Sequence, residues 1–339
     1  MTIALPFFGG ELSAFTPSAG TVIEGATAGT YDANYSRCSI GFGTASTNAV
    51  APTWASTSPF WFHGAYWINP SASPVPNNYA LQFYSGATVV ARVLITSTNP
   101  FVYNATLQTL QSGTLTTVGS AVNFGSGLLQ FMDIQIVAGG GGSAALYFGG
   151  VLATSGTGLA HGGFTGVTSV TLLAVDSGAG LYLIVPSYWS QIICDTTCTI
   201  GRNVWTDNFT NESATNTGWT GSGGGSKLSD INEIALSDTT YILAASSGLA
   251  DSFYQSGQSF GTYSVLARAA SARSLTNGTG PANQYLLLRV SSTNYLSSAT
   301  TLSSTYGVVY NTWTTNPNTS AAWTAANAAG IETGVQSLT

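Results

Sequence analysis

The pentapeptide GQSFG, Gly257–Gly261, has the G-x-S-x-G spacing that presents a nucleophilic serine on a strand–turn–helix elbow. Such a serine needs a histidine later in the chain to take its proton, and both histidines, His63 and His161, lie upstream. In a chain this rich in glycine and serine, the match reads as compositional. Glycoside hydrolysis asks for something else: two carboxyl groups about 5–9.5 Å apart on one strand face. The stretch QFMDIQIV, Gln130–Val137, offers Asp133 alone, which reads as an exposed or hydrogen-bonded strand residue. Asp230 and Glu233 form a loop pair rather than an acid and a base. No enzymatic activity is expected.

Metal chemistry is equally thinly provided. No spacing brings His63 or His161 to a cysteine pair in the way zinc requires, so no cofactor is expected. Calcium needs loop carboxylates and carbonyls, for which Asp176 in VDSGAG, Asp230 and Asp238 are candidates. The same residues serve as turn formers through their own side chains, and that reading is favoured. Three cysteines leave at least one unpaired. Fully extended, Cys194 and Cys198 would stand ~13 Å apart, too far for a disulfide, although a turn at Asp195–Thr197 could close the gap. Buried free thiols are the favoured alternative.

Tryptophans are the remaining side chains with recognition chemistry. Trp54, Trp219, Trp313 and Trp323 sit among Ser, Thr and Gly, where a ring could stack on a sugar, anchor a subunit or plug the edge of its own sandwich. Trp61, Trp67 and Trp189 fall in dense apolar runs and are assigned to core or sheet packing.

Composition narrows the partners. Charged residues make up 6% of 339, against about 25% in an average soluble protein, so the surface must be built from Ser, Thr, Asn, Gln and Gly. With one lysine, Lys227, and a net charge of −6, the chain lacks the clustered cations that displace counterions from nucleic acid. The long uncharged stretch Val93–Met132 is broken by polar residues and a proline, so it does not read as a membrane span. The start, MTIALPFFGG, lacks the basic region and cleavage site of a secretory signal. Without such a signal, the N-x-S/T triplets at Asn34, Asn104, Asn208, Asn211, Asn277 and Asn318 read as compositional.

The elements that must position these residues are strands. Met132, Ile134 and Ile136 share one parity, with Asp133 and Gln135 on the other, the period of a strand with one buried face. Gly139–Gly142 follows and predicts a loop, after which Ala145–Phe148 returns and Gly149–Gly150 turns again. Phe60–Ile68, Tyr79–Ile95 (two strands around Ser85–Gly86), Val167–Val175 and Leu181–Cys194 are similar runs. Antiparallel sheets stacked as a sandwich are therefore expected. Asn203–Lys227 turns rich in Asn, Thr, Gly and Ser, which places a boundary near Gly201 and divides the chain into 1–200 and 201–339. Beyond it TYILAASS, TYSVLARAASAR, QYLLLRVSS and TYGVVYNTW are further short strands, and Thr324–Ala329 is a short helix-like piece.

Two sets of motifs carry a resemblance. FMDIQIVAGGGGSAALYFGG followed by YWSQIIC resembles the laminin-G/concanavalin-A-like jelly roll of bacteriophage virion proteins. WTG (Trp219–Gly221), SDINE (Ser229–Glu233) and YNTWTTNPNTSAAWTAANAAGIETGVQSL (Tyr310–Leu338) resemble the C-terminal β-sandwich module often fused to it. The resemblance spans nearly the whole chain. It implies an all-β protein of two antiparallel β-sandwich domains, the first a concanavalin-A-like jelly roll, on the surface of a tailed-phage virion. A decoration, spike, collar or fibre protein of this kind would assemble with copies of itself, as a trimer for instance, and with other virion proteins. The alternative is a glycan-binding adhesin for host-surface attachment. Neither reading involves nucleic acid or a membrane.

Overall fold

The computed structural model describes residues 7–9, 14–19, 22–25, 29–33, 36–42, 47–69, 78–99, 102–125, 127–176, 186–206, 208–233, 237–256, 260 and 262–339. The chain divides into two compact units, Met1–Thr206 and Asp207–Thr339, a few residues beyond the boundary expected near Gly201. Among the described residues no helix is long and apolar enough to cross a membrane.

Among the described residues, the first unit holds sixteen strands. They begin with β1 (Phe7–Gly9), β2 (Thr16–Ala19), β3 (Val22–Gly25), β4 (Ser39–Phe42) and β5 (Thr47–Val50). Next come β6 (Phe60–Ile68), β7 (Asn78–Ser85), β8 (Thr88–Asn99), β9 (Val102–Gln111), β10 (Thr114–Thr117) and β11 (Val122–Gly125). The last are β12 (Gln130–Val137), β13 (Gly139–Phe148), β14 (Val151–His161), β15 (Ser169–Asp176) and β16 (Ser187–Asp195). One eight-stranded sheet runs β14-β13-β12-β6-β16-β4-β3, with β1 also on β16; the other runs β10-β9-β8-β7-β15-β5-β2, with β11 also on β9. All pairings are antiparallel, the arrangement of a jelly-roll sandwich.

The two sheets meet through the parity read from the sequence. Phe60, Phe62, Ile134 and Trp189 project from one sheet, and Leu81, Phe83, Val93 and Leu107 from the other, all fully buried. Phe83 sets its edge against both Phe60 and Phe62 at 5.6 Å. Such edge-to-face pairs add about 0.5–1.5 kcal/mol to the burial of the rings themselves.

The glycine run differs from the loop expected of it. Gly139, Gly140 and Gly142 pair with His161, Ala160 and Leu159 of β14, and register shifts on both sides of Gly142 mark a bulge. His161 explains why glycine is needed. Its ring is buried, with Nδ1 2.8 Å from the Val137 carbonyl and Nε2 2.9 Å from the Thr109 hydroxyl. A Cβ on Gly142 would stand 2.3 Å from that same carbonyl and 2.7 Å from Nδ1. The strand is bulged and side-chain-free so that the imidazole can lie against it.

The second unit contains β17 (Phe209–Thr217), β18 (Thr220–Gly221), α1 (Lys227–Ile231), β19 (Ile242–Leu243), β20 (Ala250–Gln255) and β21 (Arg268–Ser274). It ends with β22 (Asn283–Val290), β23 (Thr293–Leu296), β24 (Thr300–Thr301), β25 (Gly307–Trp313), α2 (Ala325–Ala328) and β26 (Glu332–Leu338). A six-stranded sheet, β17-β20-β26-β22-β23 with β24 on β22, is accompanied by the pairs β18-β19 and β21-β25. Leu286 and Val335 from the large sheet pack with Ala270 and Val309 from the small one, and Trp219 and Trp313 lie against this core. TYILAASS yields only the two-residue β19. The helix α1 was not expected; Ser226 caps it by accepting a hydrogen bond from the Ser229 amide. At α2, Thr324 and Asn327 form a reciprocal capping box, which holds a piece too short to be stable alone.

Candidate functional site

The sequence-predicted chemical residues are dispersed and mostly occupied. Gly257, Gln258, Ser259 and Gly261 of the GQSFG match lie outside the described residues, as does the Asp176 side chain. Asp133 is buried, which removes the exposed reading and leaves the hydrogen-bonded one. Asp230 is buried at α1 and accepts from the Gly223 amide at 3.3 Å. Asp238 is held by both Nε and Nη2 of Arg273 at 2.9 Å, and that guanidinium keeps its carboxyl below the usual range. Glu233 accepts from the Thr240 hydroxyl at 2.8 Å. Among the described residues, no group of three or more His, Cys, Asp or Glu side chains could hold a metal ion.

Cys194 and Cys198 are free thiols, but only Cys194 is buried. The Asp195 carboxylate accepts from the Thr196 and Thr197 amides and from the Thr197 hydroxyl. That Asx turn sends the chain outward and leaves Cys198 exposed, correcting the expectation that both thiols are buried.

The four tryptophans in polar surroundings are tied to their own sandwiches. Trp54 lies between Phe7 and Phe60, stacked on each at 6.2 and 6.1 Å, and its Nε1–H donates to the Val167 carbonyl at 3.0 Å. Trp219 donates to Leu249 O at 2.9 Å, and Trp323, only 4% exposed, donates to Trp313 O at 2.8 Å. Trp313 itself is half-buried against the second unit's core. Trp323 therefore offers no ring face to a ligand, and the other three offer only part of one.

A more open arrangement lies on the outer face of the sheet that contains β12. Register across β6, β12, β13 and β14 aligns Trp61 with Gln135, Ala145 and Ser155, and His63 with Asp133, Tyr147 and Leu152. The His63–Asp133 end of this face is sealed. His63 Nδ1–H donates to Asp133 Oδ1 at 2.9 Å, the Thr199 hydroxyl donates to the same oxygen at 2.8 Å, and the Phe131 ring stacks over the imidazole at 5.7 Å. An ion pair from Arg202 to Asp195 pins the segment that carries Thr199.

The neighbouring end is open. A groove of about 150 Å³ is lined by Gln135, Ser143, Ala145, Tyr147, Leu152, Ser155 and Thr157. Tyr147 is braced by Trp61, ring centroids 5.7 Å apart. No lining residue carries a formal charge. The volume is below the ~300 Å³ of ordinary small-molecule pockets and suits one small ring. An aromatic surface, an amide and three hydroxyls provide stacking and both senses of hydrogen bond, the chemistry that recognises polyhydroxyl compounds. Reading the sequence placed Gln135 on the right parity but missed Tyr147, Ser155 and Thr157, because only the bulged β13-β14 register brings them to one place.

No family model matches the sequence, and no curated protein is similar to it. Solved structures resemble the chain in fold alone. The chain is similar to the globular domain of T. cruzi calreticulin (TM-score 0.41, 9% identity, 58% of this chain and 89% of that one). It is also similar to the cellulose-induced protein Cip1 (0.40, 12%, 55% and 93%) and to the binding domain of botulinum neurotoxin serotype C1 (0.39, 10%, 83% and 68%). At such scores and identities, the reading of the groove rests on its own residues.

Proposed function

We propose that the chain is a non-enzymatic glycan-binding attachment protein of a virion surface, whose first unit holds a neutral sugar ring in the groove between Tyr147 and Thr157. The observation that carries this reading is the lining: aromatic, amide and hydroxyl groups without a charge, on a rigid sheet rather than a loop. The phage-type motifs of the hairpin and the C-terminus support the virion placement. Titration calorimetry of the full chain against a panel of neutral oligosaccharides tests it. At least one should bind, and Tyr147→Ala and Gln135→Ala should each weaken that binding about tenfold, since a stacked ring or a satisfied buried amide is worth on the order of 1–1.5 kcal/mol. Equal affinity in wild type and both variants would overturn the assignment of the groove.

A second reading, a structural subunit that packs against copies of itself and other virion proteins, is favoured by the end of the β13-β14 hairpin. There Val151 and Leu152 are 72% and 53% exposed at the start of an edge strand, a feature that monomers usually blunt. This reading expects a closed symmetric oligomer, such as a trimer, by mass measurement at micromolar concentration. Antibody labelling of purified particles would place it on the head, collar or fibre. A monomer that labels no particle would remove this reading and the virion placement together.

A further inference from the structure

The opposite sheet carries a different chemistry on its outer face. Leu81, Phe83, Val93 and Leu107 point into the sandwich, so Gln82, Arg92 and Gln108 between them point out. Register sets these three side by side across β7, β8 and β9. Arg92 is half-buried, with its guanidinium 4.1 Å above the Tyr79 ring and its Nε–H donated to Gln108 Oε1 at 2.7 Å. The Tyr84 hydroxyl donates to Gln82 Oε1 at 2.7 Å.

Arg92 differs from the four cations whose carboxylate partners are in view. Arg202 pairs with Asp195, Lys227 with Asp251, Arg273 with Asp238 and Arg289 with Glu332. Among the described residues, Arg92 has an amide and a ring but no carboxylate. In a chain of net charge −6, a half-desolvated cation without a counter-charge is an uncompensated cost that the ring offsets only in part.

The hydrogen-bond inventory of the row is one-sided. The acceptor oxygens of Gln82 and Gln108 are occupied, from Tyr84 and Arg92 respectively. Each amide oxygen already accepts one bond, so most of the remaining outward capacity is donor: the Nη groups of Arg92 and the amide NH₂ groups of the two glutamines. A row of donors around one positive charge selects a ligand that only accepts and carries one negative charge. A carboxylate meets both conditions and matches the guanidinium fork with two parallel bonds. Phosphate, with more charge, would call for more than one cation. Beside the fork, the Tyr79 ring and the flat sheet face suit the ring of a sugar.

We infer that this face binds a carboxylate-bearing sugar, a uronic or sialic acid residue of an acidic glycan, with Arg92 as its anchor. The site is separate from the groove of the first sheet and does not depend on the reading of that groove. The full chain is titrated with trigalacturonic acid and 3′-sialyllactose, and in parallel with the methyl ester of the first and with lactose. At least one acid should bind, and its neutral counterpart should bind about tenfold or more weakly, because the charge-assisted bonds are lost. Affinity for the acid should fall as sodium chloride is raised. Arg92→Gln should lose the acid preference, while Arg92→Lys, a point charge without the fork, should keep part of it. Failure of both acids to bind, equal binding of acid and ester by the wild-type chain, or displacement of the acid by equimolar inorganic phosphate would each overturn the assignment. The acid–ester comparison needs no variant, so the outcome does not hang on whether Arg92→Gln folds.

Discussion

Asp133 and His63 form a closed pair: Oδ1 and Nδ1 are 2.9 Å apart, and both side chains are almost fully withdrawn from solvent. The imidazole Nε2 is buried and meets no hydrogen-bond partner. A histidine and an aspartate within hydrogen-bond reach suggest general-base chemistry, yet Thr199 and Phe131 cover both groups. The pair is a latch instead, joining β6 and β12 to the segment that follows β16. Asp133→Ala should destabilise the first unit by about 1–3 kcal/mol, since it leaves the His63 N–H buried without its acceptor, while the Thr199 hydroxyl keeps only the Phe62 carbonyl at 3.2 Å. Thermal denaturation would measure this, and glycan affinity at the groove should persist in the folded fraction.

Gly142 and Gly140 lie two residues apart in one strand and should respond oppositely to the same change. Gly142→Ala drives a Cβ into the Val137 carbonyl and the His161 ring, so a loss of about 1–3 kcal/mol is expected from overpacking. At Gly140 a Cβ meets nothing within 4 Å and φ is not positive. Gly140→Ala should be neutral or stabilise by about 0.4–1 kcal/mol through the unfolded chain. Denaturant midpoints of the two variants check the contrast. Equal effects would mean that the imidazole does not set the bulge.

That contrast also marks how far the sequence could be read. Alternation in QFMDIQIV announced the strand, its buried face and the outward parity of Asp133 and Gln135, because period two is written locally. The glycine run reads locally as a loop; its strand character depends on His161, nineteen residues after Gly142, and on Val137, five residues before it. The groove has the same origin, since Tyr147 and Ser155 become neighbours only through a register that the bulge shifts. Loop tryptophans drew attention by composition, but their indole N–H groups found backbone acceptors far along the chain: Val167 for Trp54 and Leu249 for Trp219. Arg92 carried no local signal at all. Its significance comes from what the folded chain does not place beside it.

Cys198 alone among the three cysteines is exposed, and it should be the one that reacts in the native state. Cys38 and Cys194 are buried, and burial pushes the Cys194 thiol well above its ordinary value, so little thiolate is available there. A chromogenic disulfide reagent at mildly alkaline pH should titrate one thiol rapidly and the other two only after denaturant is added. Cys198→Ser should abolish the rapid phase without lowering stability. Rapid reaction of a second thiol would contradict the burial of Cys38 or of Cys194.

Lys227 and Asp251 tie α1 to β20 across 2.5 Å, and the Trp219 amide donates to the same carboxylate oxygen at 3.0 Å. Here the WTG motif and the chain's single lysine acquire a shared purpose, since both serve one buried carboxylate. Burial raises the Asp251 carboxyl above 3.8, and the bond from Lys227 opposes that rise without cancelling it. The folded unit therefore holds this proton more tightly than the unfolded chain. Its contribution to stability is full below 3.8 and is lost as pH climbs through the raised folded value. Lys227→Met removes the opposing charge, leaves a buried carboxylate with the Trp219 amide but no cation, and should cost the second unit about 3–5 kcal/mol at neutral pH. Because protonation relieves the stranded charge, the gap in melting temperature between wild type and Lys227→Met should narrow steadily on acidification towards 3.8. Lys227→Met/Asp251→Leu, with both charges gone, should recover much of the loss at neutral pH and show no such narrowing. A gap that stays constant from neutral pH down would mean that Asp251 is not the group being relieved.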